Sequence, residues 1–162
     1  MLSHMLTYQF RLNATTLAMN LKDMTDEHAR VLPPHGGNNA LWILGHVVHT
    51  RRALMGLLGL DTSAMNDVPL DRFARYTERL AEEEAPVELA TLVRLFDDSQ
   101  SVIESTIQGM NDQGFDQPLP EPGPLGAKTV GELASALQFH EAYHIGQIGL
   151  LRRIAGLPPA IT

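Results

Sequence analysis

Two histidines four residues apart with a carboxylate between them, His140-Glu141-Ala142-Tyr143-His144, have the clearest chemical potential in this chain. Four residues advance an α-helix by about 400° and about 6 Å, so both imidazoles leave one face a turn apart and can converge on one ion. The string also satisfies H-E-x-x-H, in which the glutamate serves as general base beside a zinc ion. A zinc peptidase of that type needs a third ligand, usually downstream, and from Ile145 to Thr162 there is no His, Asp, Glu or Cys. Gln147 stands where the longer H-E-x-x-H-x-x-G-x-x-H form has its glycine. A third ligand therefore has to come from upstream.

The best upstream candidate is His46, in the run Trp42-Ile43-Leu44-Gly45-His46-Val47-Val48-His49, which is apolar enough to be the buried part of another helix. One such histidine can equally be a core imidazole bonded to backbone. Three histidines on two apolar helices favour a metal, and three imidazoles leave a fourth position open, as in catalytic rather than structural zinc sites. Such a donor set also suits nickel, copper or iron. Helical spacing then names the neighbours. Gln147 shares the face of His140 and His144 and could hold substrate or orient a ligand. His49, three residues after His46, could be a fourth ligand, a base behind the ligands or an ordinary surface histidine. Trp42, one turn before His46, is core or pocket wall, and the Tyr143 hydroxyl could reach the site. Glu141 is rotated about 100° from His140, so it can face the metal, pair elsewhere or join an interface; we take it as the candidate general base.

These two segments carry a resemblance. Asn39-Ala40-Leu41-Trp42-Ile43-Leu44-Gly45-His46 followed by His140-Glu141-Ala142-Tyr143-His144-Ile145-Gly146-Gln147-Ile148 resembles the DinB/YfiT-like metalloenzymes, a large bacterial group of four-helix proteins. The resemblance spans the whole chain in length and helix layout. It implies one divalent ion, zinc or nickel, held by His46, His140 and His144. It implies no single reaction: characterised relatives include transferases and isomerases that use low-molecular-weight thiols. Such relatives are often dimeric.

Composition fits one domain. At 162 residues a chain removes about 70% of its unfolded surface from water, enough for a core without cross-links. There is no cysteine, so disulfides, thiolate ligands and a cysteine nucleophile are excluded, and a reacting thiol would have to arrive as substrate. No secretory n- and h-region opens the sequence and no apolar run approaches the roughly 18 residues of a membrane span, so the expected compartment is the cytoplasm. A formal charge of −7, from 19 acidic and 12 basic residues, argues against nucleic acid as a partner. The pairs Arg51-Arg52 and Arg152-Arg153 are expected at solvated helix ends.

The hydrophobic period is helical throughout, predicting an all-α four-helix bundle, up-and-down or related, as a single domain over residues 1–162. The first helix is expected from Leu2 to about Asp26, ended by Pro33 and Pro34. Asn38 or Asn39 caps the second, which runs to about Leu58. A short exposed helix is expected over Asp71 to Glu84, without chemistry of its own. Pro86 begins the third long helix. Four prolines between Gly114 and Gly126 make an extended connector. Thr129-Val130-Gly131-Glu132 forms a capping box for the last helix, which ends near Ala155.

The expectation is a metal-dependent enzyme of hydrolase or thiol S-transferase type acting on a small molecule. The alternatives are a bundle that binds a metal or small ligand without catalysis, or one whose histidines are structural. A ferritin-like di-iron site would need a second Glu-x-x-His beyond Glu141-x-x-His144, and there is none. With 44% hydrophobic residues, including Leu54, Leu57, Leu58, Leu150, Leu151 and Ile154 on more than one side of two helices, a homodimer is also expected.

Overall fold

The apolar repeats fold into long amphipathic helices joined by capped turns. The computed structural model describes residues 1–161. In order these are α1 (Leu2–Leu21), α2 (Asp26–Arg30), α3 (Ala40–Leu57), α4 (Ser63–Asn66), α5 (Leu89–Gly109), α6 (Asp112–Phe115) and α7 (Val130–Ile154), with single 3-10 turns at Leu70–Phe73 and Pro124–Gly126. Among the described residues there is no strand, only one antiparallel bridge between Pro118 and Thr129.

The four long helices α1, α3, α5 and α7 form a square in which α1 and α3 each pack on both α5 and α7. Two buried asparagines fix one edge. The amide of Asn13 donates to the Gln138 carbonyl and that of Asn20 to the Ile145 carbonyl, both at 3.0 Å. The equal seven-residue steps mean that α1 and α7 run parallel. On the next edge Arg11 pairs with Glu104 and Asp26 accepts from the Leu89 amide, so α5 runs antiparallel to α1. A simple up-and-down bundle would make its first and last helices antiparallel; this is the related kind. Phe10, Leu41, Leu44, Val48, Leu92, Leu95, Ile103, Leu133, Ile145 and Ile148 fill the centre, each fully buried aliphatic side chain contributing about 1.5–3 kcal/mol.

The structure moves several expected boundaries. The first helix stops at Leu21 rather than near Asp26, because Asp23 takes a left-handed backbone (φ 62°) and Thr25 starts α2 through a capping box with His28. Asn39 caps α3 as expected, accepting from the Trp42 amide at 2.9 Å. Thr129 caps α7, but the Glu132 carboxylate reaches the Lys128 amide rather than that of Thr129.

The largest revision concerns the segment between α3 and α5. No helix spans Asp71 to Glu84; the short helix lies earlier, at α4, followed by the 3-10 turn. Beyond that turn the chain is a strap pinned to the core by Leu70, Phe73 and Leu80, all fully buried. Its charged residues face outward and conceal these anchors from any charge-based reading. Phe73 packs flat on α3 where Gly45 leaves room: a Cβ at Gly45 would lie 2.4 Å from the Phe73 ring. The two arginine pairs are also split. Arg51 and Arg152 are buried inside the bundle, and Arg152 donates to the carbonyls of Asn20, Lys22 and Pro158, closing the end of α1.

Gly45→Ala tests this seating of the strap. A Cβ 2.4 Å from a fully buried ring puts the cost of overpacking at the upper end of about 1–3 kcal/mol. About 1 kcal/mol is gained in helix propensity, so urea denaturation of the metal-free protein should show a net loss of about 2 kcal/mol. An unchanged midpoint would mean that Phe73 does not rest on Gly45.

Candidate metal centre

The helices α3 and α7 each bring ring nitrogens to one point. The ligand atoms of His46, His140 and His144 all lie within 4.8 Å of one another. His140 Nε2 is 3.1 Å from His46 Nε2 and 3.1 Å from His144 Nε2. Nitrogens on a tetrahedral ion with bonds of about 2.0–2.1 Å are about 3.3–3.4 Å apart, so the spacing is close to what one small cation requires.

Two of the rings have their tautomer set from behind. His46 Nδ1 donates to the Phe73 carbonyl at 2.8 Å, and His144 Nδ1 donates to Gln147 Oε1 at 2.7 Å. A neutral imidazole carries one N–H, so in both rings the Nε2 lone pair faces inward. The third ring cannot satisfy this arrangement alone. If His140 keeps its proton on Nε2, one N–H must serve two acceptors; if on Nδ1, three lone pairs meet with nothing between them. His140 Nδ1 is itself buried and finds no hydrogen-bond partner among the described residues. A cation at the convergence point resolves the conflict, and the donor set therefore fits a divalent ion.

Electrostatics agree with neutral ligands. Burial pushes all three imidazoles below their ordinary range, and His140, further opposed by His144 and His46, is lowered to about 4. Neutral imidazole is the form that binds metal, so the site needs no deprotonation at pH 7.

The neighbours fall out as follows. Trp42 is stacked on His46, with centroids 5.0 Å apart and 14° between planes, and its indole N–H donates to Thr77 Oγ1 on the strap at 3.3 Å. It is a wall of the site. Gln147 braces His144. Tyr143 is 58% exposed and meets the His144 ring edge-on at 5.2 Å. His49 does not join the three. Its Nδ1 lies 3.6 Å from Asp71 Oδ1 and 3.3 Å from the Arg52 guanidinium, which also pairs with Asp71.

Glu141 requires a correction. Its side chain is 2% exposed and both carboxylate oxygens are taken by Arg51: Nε donates to Oε1 at 2.5 Å and Nη2 to Oε2 at 2.9 Å. The rotation of about 100° from His140 turns it into the α3 contact. A carboxylate held this way is not a free general base at the metal.

Sequence reasoning missed Phe73 and Thr77, which hold His46 and Trp42 through a backbone carbonyl and a hydroxyl. Every residue carries a carbonyl, so Phe73 left no signal. It also missed Arg51, whose place on the helix carrying His46, among apolar residues, was the available clue.

The bundle as a whole has a counterpart in a crystal structure described as the conserved protein of locus from Enterococcus faecalis. The two share 15% identity over 94% of this chain and 96% of that chain, with a TM-score of 0.71, a likeness of fold alone. Curated protein sequences contain no match to this chain. Residues 9–148, a span that includes His46, His140 and His144, match the DinB superfamily, and the chain belongs to that superfamily.

Proposed function

We propose that the protein holds one divalent ion, zinc or nickel, through His46, His140 and His144, and acts with it on a small-molecule substrate. The observation that carries this reading is the convergence of three Nε2 atoms, two of them presented as lone pairs by fixed outer hydrogen bonds. A divalent ion there would supply Lewis acidity, polarising a carbonyl or lowering the pKa of a water or thiol that it coordinates.

The chain's own residues narrow the chemistry. With Glu141 committed to Arg51, and no other carboxylate grouped with the three histidines among the described residues, the site offers no evident base for activating water. A thiol needs less help, since coordination alone removes its proton. The geometry therefore favours thiol S-transfer over hydrolysis, with the thiol brought in as substrate because the chain has no cysteine. Trp42, stacked on His46, would shield one side of the reacting centre. The same lack of a base supports a second reading, a bundle that binds metal without catalysis.

Untagged protein should contain about one zinc or nickel ion per chain by elemental analysis, and His144→Ala should lose most of it. Full occupancy in that variant would sink the assignment. Gln147→Leu should keep the fold but weaken metal affinity about 10–100-fold, the usual effect of removing the partner of a ligating histidine. For the reaction itself, zinc-loaded protein should speed the attack of a low-molecular-weight thiol on an electrophilic acceptor. Stoichiometric metal with no acceleration across a panel of such thiols would favour the binding reading.

We also propose a homodimer, on a different face from the one first expected. Leu54 and Leu151 are core, Leu58 and Ile154 half-buried, and only Leu57 and Leu150 exposed. Two uncharged stripes remain: Met5, Tyr8, Leu12 and Met19 on α1, and Phe139, Tyr143 and Leu150 on α7, all exposed. The helices that carry them pack side by side, and near Leu150 a shallow groove between them is lined by Thr16, Asn20, Gly149 and Arg153. Two exposed apolar stripes on neighbouring helices support self-association. Light scattering coupled to size exclusion should give twice 17.8 kDa, and Leu12→Glu combined with Leu150→Glu should return the monomer. A monomeric mass for the native chain, unchanged on tenfold concentration, would remove the proposal.

A further inference from the structure

The most heavily bonded side chain in the bundle is Arg51, 1% exposed in the middle of an apolar helix. A guanidinium has five N–H donors, and each has an acceptor here. Two go to Glu141. The others reach the Phe96 carbonyl at 2.9 Å, Ser99 Oγ at 3.1 Å and Gln100 Oε1 at 2.6 Å, all on α5. The guanidinium also lies 3.6 Å above the centre of the Phe96 ring. From Gln100 the chain of bonds continues to Glu104 and on to Arg11 of α1. One polar network thus touches all four long helices.

Stability is a poor reason for such a pair. Taking both charges out of water costs about as much as their attraction returns, and apolar replacements of similar volume are often neutral or stabilising. What apolar packing does not supply is a unique fit, because ridges and grooves on two helices tolerate changes of angle and height. A two-pronged carboxylate–guanidinium contact tolerates far less, since both N–H···O bonds require one plane and one separation. Its position is the informative part. Glu141 directly follows His140 and precedes His144 by three residues, while Arg51 lies five residues after His46 on the facing helix.

We propose that the Arg51–Glu141 contact is a positioning device that fixes the rotation and register of α7 against α3, so that His140 and His144 meet His46 at metal-binding distance. This rests on the metal reading above. Arg51 and Glu141 touch neither metal nor substrate in this role. They act by holding the two ligand-bearing helices in the one alignment where three Nε2 atoms converge.

The test separates alignment from stability. In the Arg51→Met/Glu141→Leu double variant the buried charges disappear together, so the urea midpoint of the metal-free protein should fall only as far as the donors lost to Phe96, Ser99 and Gln100 require, and unfolding should stay one cooperative transition. Zn²⁺ affinity, measured by competition with a chromogenic chelator, should fall about 10–100-fold, the scale of losing other supports behind a metal ligand. The visible absorption of the Co²⁺-loaded variant, which reports ligand geometry, should shift or weaken. Undiminished Zn²⁺ affinity with an unchanged Co²⁺ spectrum would overturn the positioning role while leaving the metal site intact. Failure of the unaltered protein to bind Zn²⁺ would overturn the metal reading first, and this inference with it. Should the double variant not fold, Glu141→Gln carries the test: the shape and one acceptor remain, and affinity should drop about tenfold. Unchanged affinity in that variant would overturn the proposal equally.

Discussion

Three imidazole rings presenting their Nε2 atoms to one another inside a helix bundle impose the constraint around which this molecule is arranged. Burial strips water from each ring and holds all three neutral. It also leaves three Nε2 atoms meeting, at 3.1 Å for each contact of His140, with at most one proton to share among them. Nothing in an apolar core favours that arrangement, so it persists only because other parts of the fold hold the rings in place. The Phe73 carbonyl holds one and the Gln147 amide another, while His140 has no outer partner at Nδ1 and meets only the other two rings through Nε2.

The strap after α4 shows how a site can depend on a segment with no chemistry of its own. Its composition is polar, yet Leu70, Phe73 and Leu80 anchor it fully inside the core. Once Phe73 is seated against Gly45, its carbonyl faces His46, and four residues later Thr77 meets the Trp42 indole. Gly45 therefore has a packing role one residue before His46: a side chain there would displace the ring that positions the carbonyl.

Glu141 and Arg51 show a different use of charge. Flanked by histidines, a glutamate invites a catalytic reading, but side-chain direction decides its partner. One step along the helix from His140 turns it by about 100°, away from the convergence point and into the α3–α5 side of the bundle, where a buried arginine already has three acceptors on α5. Its two oxygens complete the guanidinium's set of five.

The sequence by itself determined the all-α class, the four long helices, the cap at Thr129, a cap at Asn38 or Asn39, and the shared face of His140 and His144, because these depend on periodicity and on spacing along one helix, and it offered His46 as the candidate on a second helix. Trp42 as core or pocket wall and Gln147 as a neighbour of His144 follow from the same local geometry. The tertiary structure alone decided the rest. The parallel course of α1 and α7 depends on side-chain-to-carbonyl bonds across 125 residues. The Phe73 carbonyl has no signature in any residue type. The burial of Arg51 depends on α5 and α7 covering it, and a charged residue on an apolar helix face reads locally as a solvated end. Whether Glu141 serves a metal or a guanidinium was fixed by which helix lies opposite it, which spacing along a single helix does not specify.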